Sequence, residues 1–485
     1  MRNFLSALSA IAFLAGCSVG PDYQRPDLDL PEDWQDQAMP PAEQSKDWTE
    51  WWRRYDDPAL EALVARATSA NLDLREQTAR VREARARLGL SEAQQLPSLD
   101  LQADATRQRT SQAAAATGPG GVGNDFRIAG SLAYELDLWG RLDSATEAAR
   151  GRLLESAFTR EAVRLSVITD VVTTYFELRA AERQLRIAER TVDSRERSLE
   201  IERARYEGGE TSRLTLRQAE AELETTRARI PPIRERINRL ESALTVLIGG
   251  SPREIINARR GSTEGTPLEE IRLPEGRPDH LPSELLERRP DIRSAEGNLM
   301  AANADIGAAR AEWYPSVNLN ALIGTRAAET GDLFSADART WSIGGSLLTP
   351  LVDFGRIRAQ VDTAEALKEQ AEINYARTVR TAFQEVRDAL TLYEAAGERL
   401  AARRRQVQAL EDNLAIARRR YESGYTSFIE VLDAQRGLLD AELAVTEAIR
   451  DRFTATASLY KALGGGWSDD ASASNDKTAE TDEPS

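Results

Sequence analysis

The longest pattern in the chain is a seven-residue repeat of apolar positions. Leu178, Leu185, Val192, Leu199 and Tyr206 are seven apart, and so are Tyr393, Leu400, Val407, Leu414 and Tyr421. Two further runs do the same: Leu216, Leu223, Ile230, Ile237 and Leu244, then Leu432, Leu439, Thr446, Phe453 and Tyr460. A heptad repeat predicts helices packed as left-handed coiled coils. From Arg141 to Tyr206 there is no proline and one glycine, Gly151; from Arg356 to Tyr421 there is no proline and one glycine, Gly397. At 1.5 Å per residue each run predicts a rod of about 100 Å. Pro231-Pro232 falls inside one return helix and is expected to break or kink it. A second, shorter pattern alternates. Leu99, Leu101, Ala103 and Ala105 are interleaved with polar residues, as are Phe126, Ile128, Gly130, Leu132, Tyr134 and Leu136. Val317, Leu319, Ala321 and Ile323, then Trp341, Ile343, Gly345 and Leu347, repeat it. Each such run has about the ten residues of a transmembrane β-strand. Four strands cannot close a barrel, and open edges in lipid leave backbone groups unpaired. Either the strands form a soluble sheet, or several chains share one barrel; three chains would supply twelve strands.

These elements recur in order. Asp73, Leu88-Gly89, Ala93, Pro97-Ser98 and Leu101 match Asp291, Ile306-Gly307, Ala311, Pro315-Ser316 and Leu319 at a spacing of 218. Trp139-Gly140-Arg141 matches Phe354-Gly355-Arg356 at 215, as do Gly249-Gly250 and Gly464-Gly465. Arg205-Tyr206-Glu207-x-Gly209-x-Thr211-Ser212 matches Arg420-Tyr421-Glu422-x-Gly424-x-Thr426-Ser427 at the same spacing. The three extra residues of the first copy are expected near Gly118-Pro119-Gly120-Gly121. The expected organisation is therefore a signal (1–16), an N-terminal arm with lipid anchor (17–70), repeat 1 (71–250), a connector (251–288), repeat 2 (289–465) and an acidic, disordered tail (466–485).

Composition sharpens this. The mean hydropathy is −0.48, and beyond the N-terminus no apolar run approaches the ~20 residues of a spanning helix. The net charge of −16 over 485 residues disfavours nucleic acid as a partner. One cysteine, Cys17, and one histidine, His280, exclude structural zinc sites, disulfide frameworks and Cys/His nucleophile pairs. The cysteine has a clear place. Arg2, the apolar stretch Phe4 to Ala15 and Leu14-Ala15-Gly16-Cys17 read as a secretory signal ending in a lipobox, so Cys17 is the expected acylation site. Ser18 in place of an aspartate points to the outer membrane.

Together these features resemble the TolC-like outer-membrane factor family, and within it the OprM/NodT-type efflux lipoproteins. The blocks that carry the resemblance are Gly20-Pro21-Asp22-Tyr23-x-Arg25-Pro26, Trp51-Trp52-Arg53-x-Tyr55-x-Asp57-Pro58, Leu136-Asp137-Leu138-Trp139-Gly140-Arg141, Arg288-Arg289-Pro290-Asp291-Ile292-Arg293, Val352-Asp353-Phe354-Gly355-Arg356 and Leu432-Asp433-Ala434-Gln435. Others are Ala304-Asp305-Ile306-Gly307-Ala308 and Leu459 to Trp467. The resemblance implies a mainly α fold with a transmembrane β-barrel: a homotrimer with twelve strands, four per chain, on a periplasmic α-barrel. It implies the exit duct of a tripartite efflux pump, with a periplasmic adaptor and an inner-membrane RND transporter as partners. No reaction, cofactor or metal is implied, only diacylglycerol and N-acyl lipid on Cys17. A duct for type I protein secretion is the alternative; a structural coiled-coil lipoprotein and a glycan hydrolase are further rivals.

The resemblance also assigns sites. Gly209 and Gly424 are expected to end helices in the left-handed conformation, and Thr211-Ser212 and Thr426-Ser427 to start the next ones. With Tyr206 these turns form the expected adaptor-contacting tips. Tyr421, Ile429, Glu430, Asp433 and Arg436 are the expected periplasmic gate; in a trimer each occurs three times around the axis, so Ile429 would seal and Asp433 would repel anions or bind cations. Trp51 and Trp52, with Trp48, are expected to anchor the arm, His280 to be structural, and Trp341, with Trp139, to lie at a membrane interface.

Overall fold

A computed structural model of the protein describes residues 19–31, 49–109, 121–257, 265–274 and 282–467. The signal, Cys17, Trp48, His280, Gly118 to Gly120 and residues 468–485 lie outside them. The first two residues expected in the tail are instead ordered and buried, because Trp467 packs inward and its Nε1–H donates to the Arg288 carbonyl at 2.6 Å. In chain order come a 3-10 turn (Trp51–Tyr55), α1 (Pro58–Ala70), α2 (Leu72–Gln94), β1 (Ser98–Arg109), β2 (Val122–Leu136), α3 (Arg141–Glu207) and α4 (Arg213–Leu247). The connector holds α5 (Pro252–Asn257) and α6 (Leu285–Arg288). Then follow α7 (Pro290–Ala311), β3 (Ser316–Ala327), β4 (Arg339–Leu348), α8 (Arg356–Glu422) and α9 (Phe428–Ala462). α3 and α8 both have 67 residues, and α4 and α9 both have 35.

The chain divides into two compact units. The first holds Arg80–Ser156 and Ser294–Ala376 with the described arm residues up to Leu28. Its strands form one antiparallel sheet in the order β1-β2-β3-β4. Residues paired across strands share a face, and the register puts the alternating set together: Leu101 opposite Gly130, Gly130 opposite Ile323, Ala321 opposite Ile343. One face therefore carries Leu99, Phe126, Leu132, Leu319, Ile323 and Trp341 with their apolar neighbours. The other carries Asp100, Asp104, Arg127, Asn318, Asn320 and Arg326. Leu99, Leu101, Ile323, Trp341 and Ile343 are all more than 70% exposed. On the polar face Arg127 meets Asp104 and Arg326 meets Asp125, both at 2.8 Å. β1 and β4 each pair on one side only.

The repeat spacing is visible in the hydrogen bonds of the sheet. Moving Ser98↔Ala133 by 218 and 215 gives Ser316↔Leu348, which is the observed pair, and Leu101↔Gly130 becomes the observed Leu319↔Gly345. Below the sheet, α3 and α7 approach closely: a Cβ on Gly151 would lie 2.6 Å from the Ala301 nitrogen, so no larger residue fits there. The arm is strapped to α7. Arg25 grips the buried carboxylate of Glu296 with Nε at 2.7 Å and Nη2 at 2.9 Å, Tyr23 donates to Glu296 Oε1 at 3.2 Å, and Asn303 donates to the Pro21 carbonyl at 2.7 Å. Burial, then the Glu296 charge, pushes the Tyr23 hydroxyl pKa upward.

The second unit holds Asp29–Ala79, Ala157–Arg293 and the chain from Arg377. Here the heptad positions are the core: Leu178, Leu185, Leu223, Ile237, Leu244, Leu432, Leu439, Phe453 and Tyr460 are buried, and so is Thr446. Tyr206 departs from this and is 40% exposed. Trp51 stacks on Tyr460 with centroids 5.1 Å apart, and Tyr55 packs on Phe176 and Phe453. Trp51 and Trp52 thus anchor the arm as expected. Asp57 begins α1, accepting from Ala59 N–H at 3.0 Å and Leu60 N–H at 3.4 Å, while its other oxygen accepts from the Tyr175 hydroxyl at 2.5 Å. Burial and that carboxylate raise the Tyr175 pKa.

One expectation is corrected. Pro231-Pro232 does not break the return helix: α4 runs through both prolines. Both prolines lie on the exposed side, where water can hydrogen-bond the two carbonyls that lose their amide partners. Ile230, Ile233 and Ile237 on the inner side keep the helix seated.

Asp57 joins a helix start to a buried phenol, so D57A should cost about 2–4 kcal/mol, a cap plus a stranded hydroxyl. Y175F should cost less. Denaturant unfolding of the detergent-solubilised protein checks the order.

Candidate functional site: the hairpin tips and their charged seam

Both long hairpins turn in the same way. Gly209 (φ 76°) and Gly424 (φ 74°) are left-handed, a conformation glycine adopts without a Cβ clash. Glu210 N–H bonds to the Arg205 carbonyl and Tyr425 N–H to the Arg420 carbonyl, both at 2.8 Å. These six-residue closures satisfy carbonyls that the helix end leaves free. Ser212 then caps α4, its Oγ accepting from Thr215 N–H at 3.2 Å. Ser427 has the same extended backbone but no side-chain cap; the Glu430 N–H is held at 3.2 Å by the Ser427 carbonyl instead. Thr211 and Thr426 are half-buried, whereas Gly209, Gly424, Tyr425 and Leu214 are exposed.

Behind the turns an apolar cluster joins the two hairpins: Leu199, Leu216, Leu223, Leu414, Phe428 and Leu432, with Tyr421 packed against it. Two glutamates are sunk into this seam, Glu202 at 2% exposure and Glu222 at 5%. A buried carboxylate needs a partner, and each finds one on the other hairpin. Tyr421 donates to Glu202 Oε2 at 3.0 Å; Arg205 meets Glu202 Oε1 at 3.2 Å and lies 5.4 Å from the centre of the Tyr421 ring. Arg436 Nε donates to Glu222 Oε1 at 2.7 Å, and Arg436 Nη1 reaches Asp433 at 3.1 Å. On the far side of Glu222, Arg195 Nη1 lies 2.8 Å from Oε2 and also bonds to Thr226 Oγ1. Burial lowers the Arg195 pKa and Glu222 offsets this. The Arg436 pKa is raised, chiefly by its hydrogen bond to Glu222.

Among the five expected gate residues, Asp433 and Arg436 are in contact. Tyr421 belongs to the separate Glu202 cluster. Glu430 lies 3.7 Å from Arg420, and Ile429 is 39% exposed. Glu202, Arg205, Glu222 and Arg195 were not anticipated. Comparison of the two halves at a spacing of 215 carries their signal: the positions of Glu202, Arg195 and Glu222 are occupied in the second half by Ala417, Leu410 and Gly437. There the space is apolar, with a Cβ on Gly437 3.5 Å from Leu410. Trp139 is held by local contacts. It stacks on Tyr314 at 4.8 Å and donates to the Pro315 carbonyl at 2.9 Å, beside a cavity of about 410 Å³.

E222A strands Arg195 in the seam and should cost about 3–5 kcal/mol. R436A, whose side chain is half exposed, should cost about 1 kcal/mol, and the double variant should show coupling in a mutant cycle. Burial, then Glu202, raises the Tyr421 pKa, so its contribution is complete below the free tyrosine pKa of about 10 and is lost as pH rises through the raised value. Unfolding profiles of wild type and Y421F should therefore run parallel from pH 6 to 9 and converge only in stronger alkali.

The family described as "Outer membrane efflux protein" matches residues 63–250 and 281–465, once in each half. The chain is 34% identical over 487 residues to a Pseudomonas putida protein named "Probable efflux pump outer membrane protein TtgC", covering 99% of both chains. It is 32% identical over 466 residues to the "Probable outer membrane lipoprotein SilC" of Salmonella typhimurium, covering 96% of this chain and 98% of that one. The solved outer-membrane channel OprN superposes with a TM-score of 0.86 at 31% identity, over 93% of this chain and 100% of its own. Similarity of this extent, through both halves and in backbone, places the chain in the outer membrane efflux protein family as an outer-membrane efflux channel.

Proposed function

We propose that the protein is the exit duct of a tripartite pump: a homotrimer whose twelve strands close one barrel in the outer membrane. It would pass drugs or other small toxic compounds from an inner-membrane RND transporter and a periplasmic adaptor to the exterior. The observation that carries this reading is the four-stranded sheet. Its face is apolar and more than 70% exposed at five positions, and its outer strands are unpaired along one edge. Such a sheet is an aggregation hazard in water and is impossible alone in lipid. Edge-to-edge pairing of three copies removes both problems, with the apolar face outward and the charged face lining a lumen. Among the described residues no helix is long and apolar enough to cross a membrane, so the strands are the spanning elements in this reading. Acylation at Cys17 would add a second attachment. The work is passage, not a reaction. The efflux names of the relatives favour small-molecule export over protein secretion.

In this reading the exposed turns at Tyr206–Ser212 and Tyr421–Ser427 meet the adaptor. The gate is formed by Ile429, Glu430 and Asp433, with Tyr421 and Arg436 holding the second hairpin to Glu202 and Glu222 of the first. D433A, alone or with I429A, frees Arg436 of its exposed partner and should raise single-channel conductance of correctly folded trimers in planar bilayers several-fold. Unchanged conductance would remove Asp433 and Ile429 from the gate.

A further inference from the structure

Beyond the duct itself, the outward face of the sheet carries an unexplained charge pattern. The apolar face runs from Leu99, Leu136 and Leu347 near the helices towards the two hairpin loops. At the loop end, past Phe126 and Trp341, the same face carries Arg107, Arg109 and Arg339, all exposed. These are the only charged residues among the paired positions of that face; every strand acid lies on the other side. No ion pair among the described residues joins the three to a carboxylate, the loop acids Glu329, Asp332 and Asp337 included.

All three lie on the edge strands. At the equivalent places on the inner strands stand Asn124, Thr325 and Ala327. The repeat spacing predicts what happens when edges meet. It already converts the β1–β2 register into the observed β3–β4 register. Applied to the β2–β3 register, it converts Phe126↔Ala327 into Trp341 opposite Arg109 of the next copy, and Ile128↔Thr325 into Ile343 opposite Arg107 of that copy. Arg339 then sits diagonally across from Arg109, about 7–8 Å away and within reach of a long side chain. The inner junction thus has three neutral residues where the junction between copies gathers three guanidiniums. Like charges so close repel, and a guanidinium fork fits phosphate oxygens. Their position, at the outer rim of a lipid-facing apolar band, is where lipid headgroups lie.

We propose that Arg107 and Arg109 of one copy and Arg339 of the next form a site for the phosphate of an outer-leaflet phosphoglycolipid, one site per junction, with Trp341 at its floor. The proposal rests on the trimeric-barrel reading. The probe is lipid A carrying both phosphates, compared by native mass spectrometry with the same lipid dephosphorylated and with inorganic phosphate, on the full-length trimer. Wild type should retain the phosphorylated lipid in preference to the other two. R107Q/R109Q/R339Q should bind it about tenfold more weakly or worse, the loss of at least one charge-assisted hydrogen bond. R326Q, on the opposite face, should bind like wild type. If the triple variant does not assemble, R339Q alone should still weaken binding. Equal affinity of the assembled variants and wild type, or equal retention of dephosphorylated lipid, overturns the site. Protection by inorganic phosphate alone overturns the lipid as its ligand. The register is checked separately with G344C/T106C, a pair placed opposite across the same junction, where a Cβ at Gly344 meets nothing within 4 Å. Oxidation should link copies into covalent rings. Trimers without cross-links would overturn the convergence of the arginines, whereas absence of any trimer would overturn the duct reading itself.

Discussion

A polar group removed from water has to find its partner inside protein, and this constraint governs both the sheet and the hairpin tips. In the sheet the groups are backbone amides and carbonyls along β1 and β4, which one chain leaves unpaired. At the hairpin tips they are the carboxylates of Glu202 and Glu222, which find Tyr421 and Arg436 across the seam. In the proposed barrel the first need would be met by another copy. The second is met within one chain, and it ties together two hairpins that the heptad pattern alone would allow to slide. A purely apolar seam tolerates shifts of register; a buried acid with a fixed donor on the opposite hairpin does not.

Much of this was legible in the sequence because it depends on periodicity. Two-residue alternation fixed which side of each strand is apolar, and seven-residue spacing found the buried positions from Leu178 to Tyr460. The repeated Arg-Tyr-Glu-x-Gly blocks located both turns. What stayed hidden depends on exceptions to periodicity. Glu202 and Glu222 look like ordinary solvated residues of an Arg/Glu-rich helix, and only their neighbours in space make them interior. Pro231-Pro232 reads as a helix breaker, yet whether it breaks anything is decided by which side faces water. The partners of Trp139 were hidden too: Tyr314 and Pro315, far away in sequence, hold its ring and its N–H.

The two halves have the same framework and different chemistry. The sheet registers superpose, and the helix ends are held alike: Asn71 donates to the Leu247 carbonyl at 2.9 Å, and Arg289, at the equivalent place, donates to the Ala462 carbonyl at 2.9 Å. On this shared frame the first half carries the buried acids and the second carries the donors that reach them across the seam, Tyr421 and Arg436. Division of labour of this kind lets one chain make an asymmetric contact that two identical copies could not.

The grip of Arg25 on Glu296 has a mechanical consequence. Eight peptide steps separate Cys17 from Arg25, and a fully extended chain covers at most about 29 Å in that distance. Acylated at Cys17, the leash would be short, and any load along it would arrive on α7, first at Asn303, which holds the Pro21 carbonyl, and then at the bidentate ion pair of Arg25 with Glu296. In that case the strap would set the depth at which the arm and α7 ride beneath the lipid surface.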